Sequence, residues 1–504
     1  MGKYADIITW LNFDGVISID IQNGPKNRQN DGIYLNTKME GLKNCMQNRM
    51  ENNLSEGGVL KKLLFFALPF LASNIVQSFY NVADMLIVGN FCGPESMSGV
   101  NIGGQVTFIL TNIIVGLCVG ATVLIGQYVG SGNDEALKRV TATIITLLFW
   151  LGLIITIVML VFKRQVLELI RTPAESFAES DSYLTVTVIG IIFIFGYNAF
   201  SAILRGMGDS KHPFYFVLVA CITNVVLDLL FVAGFKWAAF GAAVATVISQ
   251  AFSMILCMIF MMKNNAYFSF SRSSFRIYKD QLGMIFKIGL PTCVQNGVTS
   301  MSFLFITAIV NIVGGVSASA AVGAWGKFNS FAFMPTIAIS SSISTMSAQN
   351  IGANRLDRAV LACKIGTAFA AVTTFLFFGL VRLFPSQILS MFGTDTQMLA
   401  AGAVYIRSFS YDFLVIPFVF CINGLLVGGG HTMFTMINSM LSSILLRVPV
   451  CYMFGVVFEW GLFGVGMGAP VASAASLFLI IIFLVSGRWK HNAVQSASSL
   501  LDTQ

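Results

Sequence analysis

The chain has 504 residues, enough for three or four soluble domains. Hydrophobic residues make up 56% of it and charged residues only 11%, against about 25% charged in a soluble globular protein. Such a chain cannot cover its own surface with polar groups, so a soluble fold is excluded. The net charge of +7 is spread over short loops rather than gathered in a patch, which fits membrane orientation and gives no reason to expect a nucleic-acid partner.

Residues 1–58 are polar and rich in Asn and Gly, with no apolar run long enough for an anchor or a signal segment; they read as a disordered cytoplasmic extension. Met50 would also serve as a start, so residues 1–49 are expected to be dispensable. Apolar stretches then recur twelve times, at 63–89, 100–126, 140–162, 183–204, 213–233, 238–262, 283–311, 322–348, 360–383, 403–426, 433–457 and 463–486. Ser96–Asn133 and Ile288–Gly326 hold no charged side chain, and each exceeds the roughly 20 residues that one spanning helix needs. Run length gives helices, because barrel strands would alternate over about 10 residues.

The polar segment KNNAYFSFSRSSFRIYKDQ divides the spans six and six. The expected fold is an all-α polytopic membrane protein of 12 transmembrane helices: a first lobe at 59–262, an inter-lobe loop at 263–282, a second lobe at 283–487 and a tail at 488–504. With the extension through Lys62 set aside, 14 basic residues lie on the side of the termini and five in the opposite loops (Lys163, Arg164, Arg171, Lys236 and Arg382). The positive-inside rule therefore puts both termini in the cytoplasm of a cell whose plasma membrane, the inner one in a bacterium, holds the protein. None of the nine cysteines falls in a C-x-x-C pair, and most lie inside apolar runs, as small reduced core residues do.

The halves resemble each other at a fixed offset of 222 residues. It carries Leu68-Pro69 to Leu290-Pro291, Asn74 to Asn296, Gly104 to Gly326, Gln127 to Gln349 and Gly130 to Gly352. Units of six spans run in the same direction, so the lobes form a parallel repeat about an axis along the membrane normal, with a cleft between them. That architecture belongs to transporters that work by alternating access.

Two spans carry one charge each, Asp84 in the first and Asp228 in the fifth. A carboxylate at a helix centre costs about 2.5–3.5 kcal/mol on insertion scales. Asp84 lies nine residues before Gly93, Asp228 nine before Trp237, and Thr246 nine after Trp237. At about 1.5 Å per residue the three share one depth. Asn224 and Tyr80 stand one turn before Asp228 and Asp84 on the same faces. Such a cluster can glue helices together, or it can hold a proton or pool oxygens around a cation. The second lobe has Ile306 where Asp84 would repeat; its own charges, Asp412 and Arg447, read as a structural ion pair or as part of transport. Some of the abundant Met and Phe side chains suit flat apolar substrates.

The segments LPFLASNIVQSFYNVADMLIVG, LRGMGDSKHPF, NVVLD, FGAAVAT and GLLVGGGHT, in this order, resemble the multidrug and toxic compound extrusion (MATE) transporters, above all their bacterial DinF-like branch. The resemblance covers about residues 56–490. It implies an antiporter that couples H+ or Na+ entry to export of small amphipathic or cationic organic compounds. It needs no cofactor and no partner beyond substrate and membrane lipid, and a monomer suffices. It also implies a first-lobe cation site of Asp84, Asn224, Asp228 and Thr246, with Tyr80 beside it and Pro69 where span one bends. The family's span-four asparagine corresponds to Asn198 or to Ser201. The acidic pair of NorM-type members is not reproduced at Ile306, so coupling is expected through the first lobe.

A lipid-linked oligosaccharide flippase of the same superfamily would need a cationic cleft, whereas the first-lobe spans carry acids. An enzyme is disfavoured because His212, His431 and His491 lie in loops or the tail and form no catalytic constellation. The orientation has a direct check. A cysteine introduced within 263–282 should react with an impermeant thiol reagent only from the cytoplasmic side; labelling from outside would overturn it.

Overall fold

The structure is a computed structural model and describes residues 53–263 and 275–490. The rest of the expected extension, most of the inter-lobe loop and most of the tail lie outside the described residues.

Two helices, α1 (Val59–Ser131) and α7 (Lys279–Gly352), are 73 and 74 residues long. At about 1.5 Å per residue a straight rod of that length would be roughly 110 Å, far beyond a hydrocarbon core of about 30 Å. Each is broken once, at Gly93 (φ 81°) and at Gly315 (φ 61°), and so makes two spans. The others follow in chain order. They are α2 (Asp134–Leu169), a bent pair α3 (Ala174–Ile189) and α4 (Ile191–Gly206), α5 (Lys211–Asp228) and α6 (Ala238–Lys263). In the second lobe come α8 (Leu356–Leu383), the short α9 (Pro385–Ser390), and a bent pair α10 (Thr396–Phe409) and α11 (Asp412–Gly428). Span eleven runs through α12 (Thr432–Met440) and α13 (Arg447–Tyr452), and span twelve is α14 (Gly461–Val485). With each bent pair taken as one span, the twelve expected spans are present, and no described residue is in a strand.

The repeat is written into the backbone. Positive φ recurs at the same 222-residue offset in Gly93 and Gly315, Gly132 and Asn354, and Gly208 and Gly430. Span four bends by 48° at Gly190 and span ten by 51° at Ser410–Tyr411, within two residues of the same offset. Wide π turns follow Asp228 (Leu229–Gly234) and Tyr452 (Met453–Val457). Each ends in an aromatic cluster: Trp237 stacks on Phe231 with ring centroids 5.2 Å apart, and Trp460 tilts against Phe454 at 4.9 Å. Tryptophan and its neighbours favour the headgroup zone, so these clusters mark one membrane boundary for both lobes. By the charge-derived expectation this boundary is the outer one.

Span one bridges the lobes. Its inner half buries Leu63, Phe66 and Ala67 against Ile339, Ile343, Met346 and Cys363 of the second lobe. Its outer half buries Ile87 and Val88 with Val100, Val232 and Ala243 of the first. Between these halves φ/ψ stay helical through Pro69, where the resemblance places the bend of span one. The extension also ends sooner than 58: Leu54 and Ser55 are buried, and the chain from Leu54 to Gly57 is hydrogen-bonded to the second lobe.

Gly93 has open space where a Cβ would stand, so its φ alone sets the cost of a side chain. Gly93→Ala should therefore destabilise by about 1–3 kcal/mol, because φ 81° with ψ −179° is a backbone region that only glycine adopts readily. Gly104→Ala, equally open and helical, should be neutral or stabilising by about 0.5–1 kcal/mol. Thermal unfolding of the detergent-solubilised variants reads both.

Candidate cation site

The depth argument places five side chains together, and the structure brings them together. Span one contributes Tyr80 and Asp84, span five Asn224 and Asp228, span six Thr246. Asp228 and Asn224 are fully buried, and Asp84 is 7% exposed. The two carboxyl groups lie within hydrogen-bonding reach of each other. With the Asn224 amide oriented to suit its neighbours, its Nδ2 donates to Asp228 Oδ2 at 2.8 Å and its Oδ1 accepts the Thr246 backbone N–H at 3.3 Å. The Tyr80 and Thr246 hydroxyls are 3.1 Å apart.

The local chain makes this geometry. Asn224 and Asp228 are one turn apart on α5, and Asp228 is its last α-helical residue before the π turn. Such a wide turn shifts the register of the side chains after it and recurs at functional sites. Small residues at Gly241, Ala242, Ala243 and Ala245 let α6 approach closely, which brings Thr246 into the cluster.

A sixth member was missed from sequence. Tyr183 of span four is buried, and its hydroxyl is within reach of Thr246. Its ring lies over Gly103 of span two, where a Cβ would meet Cδ1 at 2.6 Å. Tyr183 is nine residues beyond Ala174, the outer start of span four, so the depth rule used for spans one, five and six applies to it as well. Asn198 and Ser201 do not join the cluster. Asn198 donates back to the Ile194 carbonyl at 2.8 Å, and Ser201 is paired with Tyr197 on its own helix.

Two carboxyl groups in contact, with no cation within ion-pair distance among the described residues, repel each other when both are charged, and a proton or a cation would relieve that repulsion. One oxygen of each acid, Asp84 Oδ1 and Asp228 Oδ1, is buried and has no hydrogen-bond donor to it among the described residues. Asp181 at the outer end of the same lobe is different, since Lys163 Nζ reaches its Oδ2 at 2.7 Å.

In the second lobe the expected ion pair is not formed. Asp412 is buried at the first residue of α11 and is within reach of the Ser473 hydroxyl. The Arg447 guanidinium instead stands 4.8 Å from the centre of the Phe303 ring and 6.0 Å from that of Phe409. The aromatic faces take the place of the carboxylate as its neighbour.

A family model, MatE, matches residues 69–230 and again 291–453, which is most of the membrane region and both halves of the repeat. The chain belongs to the MatE family. This MatE protein is 28% identical over 433 residues to the Bacillus subtilis "Probable multidrug resistance protein YoeA", covering 84% of this chain and 93% of the relative. It is 27% identical to the Thermotoga maritima "Probable multidrug resistance protein NorM", covering 86% and 94%. In fold it is similar to a solved structure described as the outward-facing conformation of a multidrug resistance MATE family transporter, at 20% identity with a TM-score of 0.81, over 88% of this chain and 98% of that one. This MatE protein is accordingly a multi-pass membrane transporter and not an enzyme.

Asn224 makes two buried bonds that alanine would remove, leaving Asp228 Oδ2 without its donor. Asn224→Ala should cost about 1–3 kcal/mol. Asn198→Ala, which loses a bond within its own helix, should cost less in the same thermal unfolding measurement.

Proposed function

We propose that this MatE protein is an antiporter that exports small amphipathic or cationic organic compounds in exchange for H+ or Na+, by alternating access of its two lobes. The observation that carries the reading is the carboxyl pair Asp84–Asp228, buried in contact with each other and holding two oxygens with no donor to them among the described residues. The names of the curated relatives support organic compounds as substrates.

In this reading the pair alternates between a charged form and a form neutralised by a proton or sodium ion. Asn224 fixes the Asp228 carboxyl by donating to it, and the hydroxyls of Tyr80, Thr246 and Tyr183 supply donors to the charged form or oxygens to a cation. Span one transmits the change, because its outer half holds Asp84 and its inner half rests on the second lobe. Pro69 lies between the two halves and lacks the N–H that would tie it to the preceding turn, which makes it the weak point where the helix can flex. Coupling through the first lobe follows from Ile306 standing where a second-lobe acid would be needed. The protein works in the plasma membrane with both termini inside and needs no partner beyond substrate and lipid.

The test is efflux of a fluorescent organic cation from proteoliposomes under separately imposed pH and sodium gradients. Asp84→Asn and Asp228→Asn should each abolish gradient-driven efflux with folding retained, since Asn mimics the neutral acid. Efflux at the wild-type rate in the double variant would sink the coupling reading. Asp412→Asn should leave coupling largely intact.

A further inference from the structure

The two lobes meet most closely at their inner ends, in an arrangement that the repeat makes twice. A Cβ on Gly130 of span two would lie 1.9 Å from the Gln349 carbonyl oxygen of span eight, and one on Gly352 would lie 2.1 Å from the Gln127 carbonyl oxygen. The side chains of these glutamines cross as well. Gln127 Nε2 donates to the Gly428 carbonyl at 2.9 Å, and Gln349 Nε2 donates to the Gly206 carbonyl at 3.0 Å. Donors and acceptors are all 222 residues apart, so each bond is the other turned about the axis between the lobes.

The symmetry is broken at one atom. Gln127 Oε1 is buried without a partner among the described residues, whereas Gln349 Oε1 accepts the Leu54 backbone N–H at 2.9 Å. Leu54 belongs to a short strap that continues directly into span one. The second lobe grips the strap by its carbonyls: Arg355 Nη1 donates to Ser55 O at 2.8 Å, and Arg358 Nη1 donates to Gly57 O at 3.0 Å. Asn350 Nδ2 reaches Leu54 O at 3.4 Å, and Arg358 Nε holds the Asn350 amide at 3.1 Å. The Leu54 side chain is 3% exposed, in a cluster with Ile351, Ala359 and Ala362. Charge-assisted bonds to two carbonyls, one buried leucine and one shared glutamine fix a stretch of backbone that has no helical bonding of its own.

We propose that residues Leu54–Gly57 are a releasable tie that keeps the inner ends of the lobes together. Parting those ends breaks both glutamine bonds, and the Gln349 bond is the one that the strap completes. Because the strap is the leading end of the helix that carries Asp84, its release and the movement of span one are one event. This inference rests on the two-lobe alternating-access reading, and it adds the element that biases the protein toward its inner-closed state.

The test is hydrogen exchange by mass spectrometry on the protein in lipid nanodiscs, without substrate or gradient. Arg355→Ala/Arg358→Ala removes the grip through side chains at the inner surface. A version starting at Val59 behind an initiator Met removes the strap outright, and one starting at Met50 keeps it. Peptides covering 126–131 and 347–353 should exchange about tenfold or more faster in the first two than in the full chain, as local opening predicts, and at the full-chain rate in the third. Unchanged exchange in both altered proteins overturns the tie and leaves the antiporter reading standing. A matching rise in the second-lobe core at 405–413 also overturns it, because that is general loosening. Faster exchange as expected, combined with wild-type efflux that responds to neither gradient, keeps the tie and removes the coupling reading.

Discussion

Two carboxyl groups in contact inside a membrane are the constraint on which the rest of this structure depends. Isolated, each would cost several kcal/mol at that depth, and side by side they also repel. The protein offsets that cost without an opposite charge beside either acid. It surrounds the pair with an amide and hydroxyls, which can turn as donors or acceptors, and brings no Lys or Arg within ion-pair distance among the described residues. A structural role would be served better by an ion pair, as at Lys163–Asp181.

The repeat explains how a local change of charge can concern the whole molecule. Both lobes carry positive-φ positions, bends and wide turns at matching places, so they are built to one plan and meet in paired contacts. Among the described residues, two departures from the plan concern span one. The acid of span one has Ile306 as its counterpart, and the strap before span one has its glutamine only in the second lobe. Both asymmetries involve span one, which packs on one lobe at its inner end and on the other at its outer end.

Much of this was legible in the sequence, for particular reasons. Lipid leaves helices as the spanning elements for runs of this length, so composition and run length fixed class and span number. The cluster of Tyr80, Asp84, Asn224, Asp228 and Thr246 could be found because helical rise converts residue counts into depth. Tyr183 was missed only because that count was not applied to span four. Other features had no such ruler. Whether Arg447 reaches Asp412 depends on side-chain direction, and Phe303 offers the guanidinium an alternative. The π turn after Asp228 leaves no mark in residue type. The strap reads as polar coil, since its order comes from Arg355 and Arg358, about 300 residues away in the chain.

The central claim, that the first-lobe acid pair couples ion and substrate, is tested most directly by equilibrium binding. The affinity of the purified protein in nanodiscs for a lipophilic organic cation, tetraphenylphosphonium, should be measured across pH and across sodium concentration. The account predicts that affinity falls as protons or sodium ions are added to the wild type, and that this dependence disappears when both Asp84 and Asp228 are replaced by Asn. A dependence that survives intact in that double variant would place the coupling site elsewhere and contradict the account.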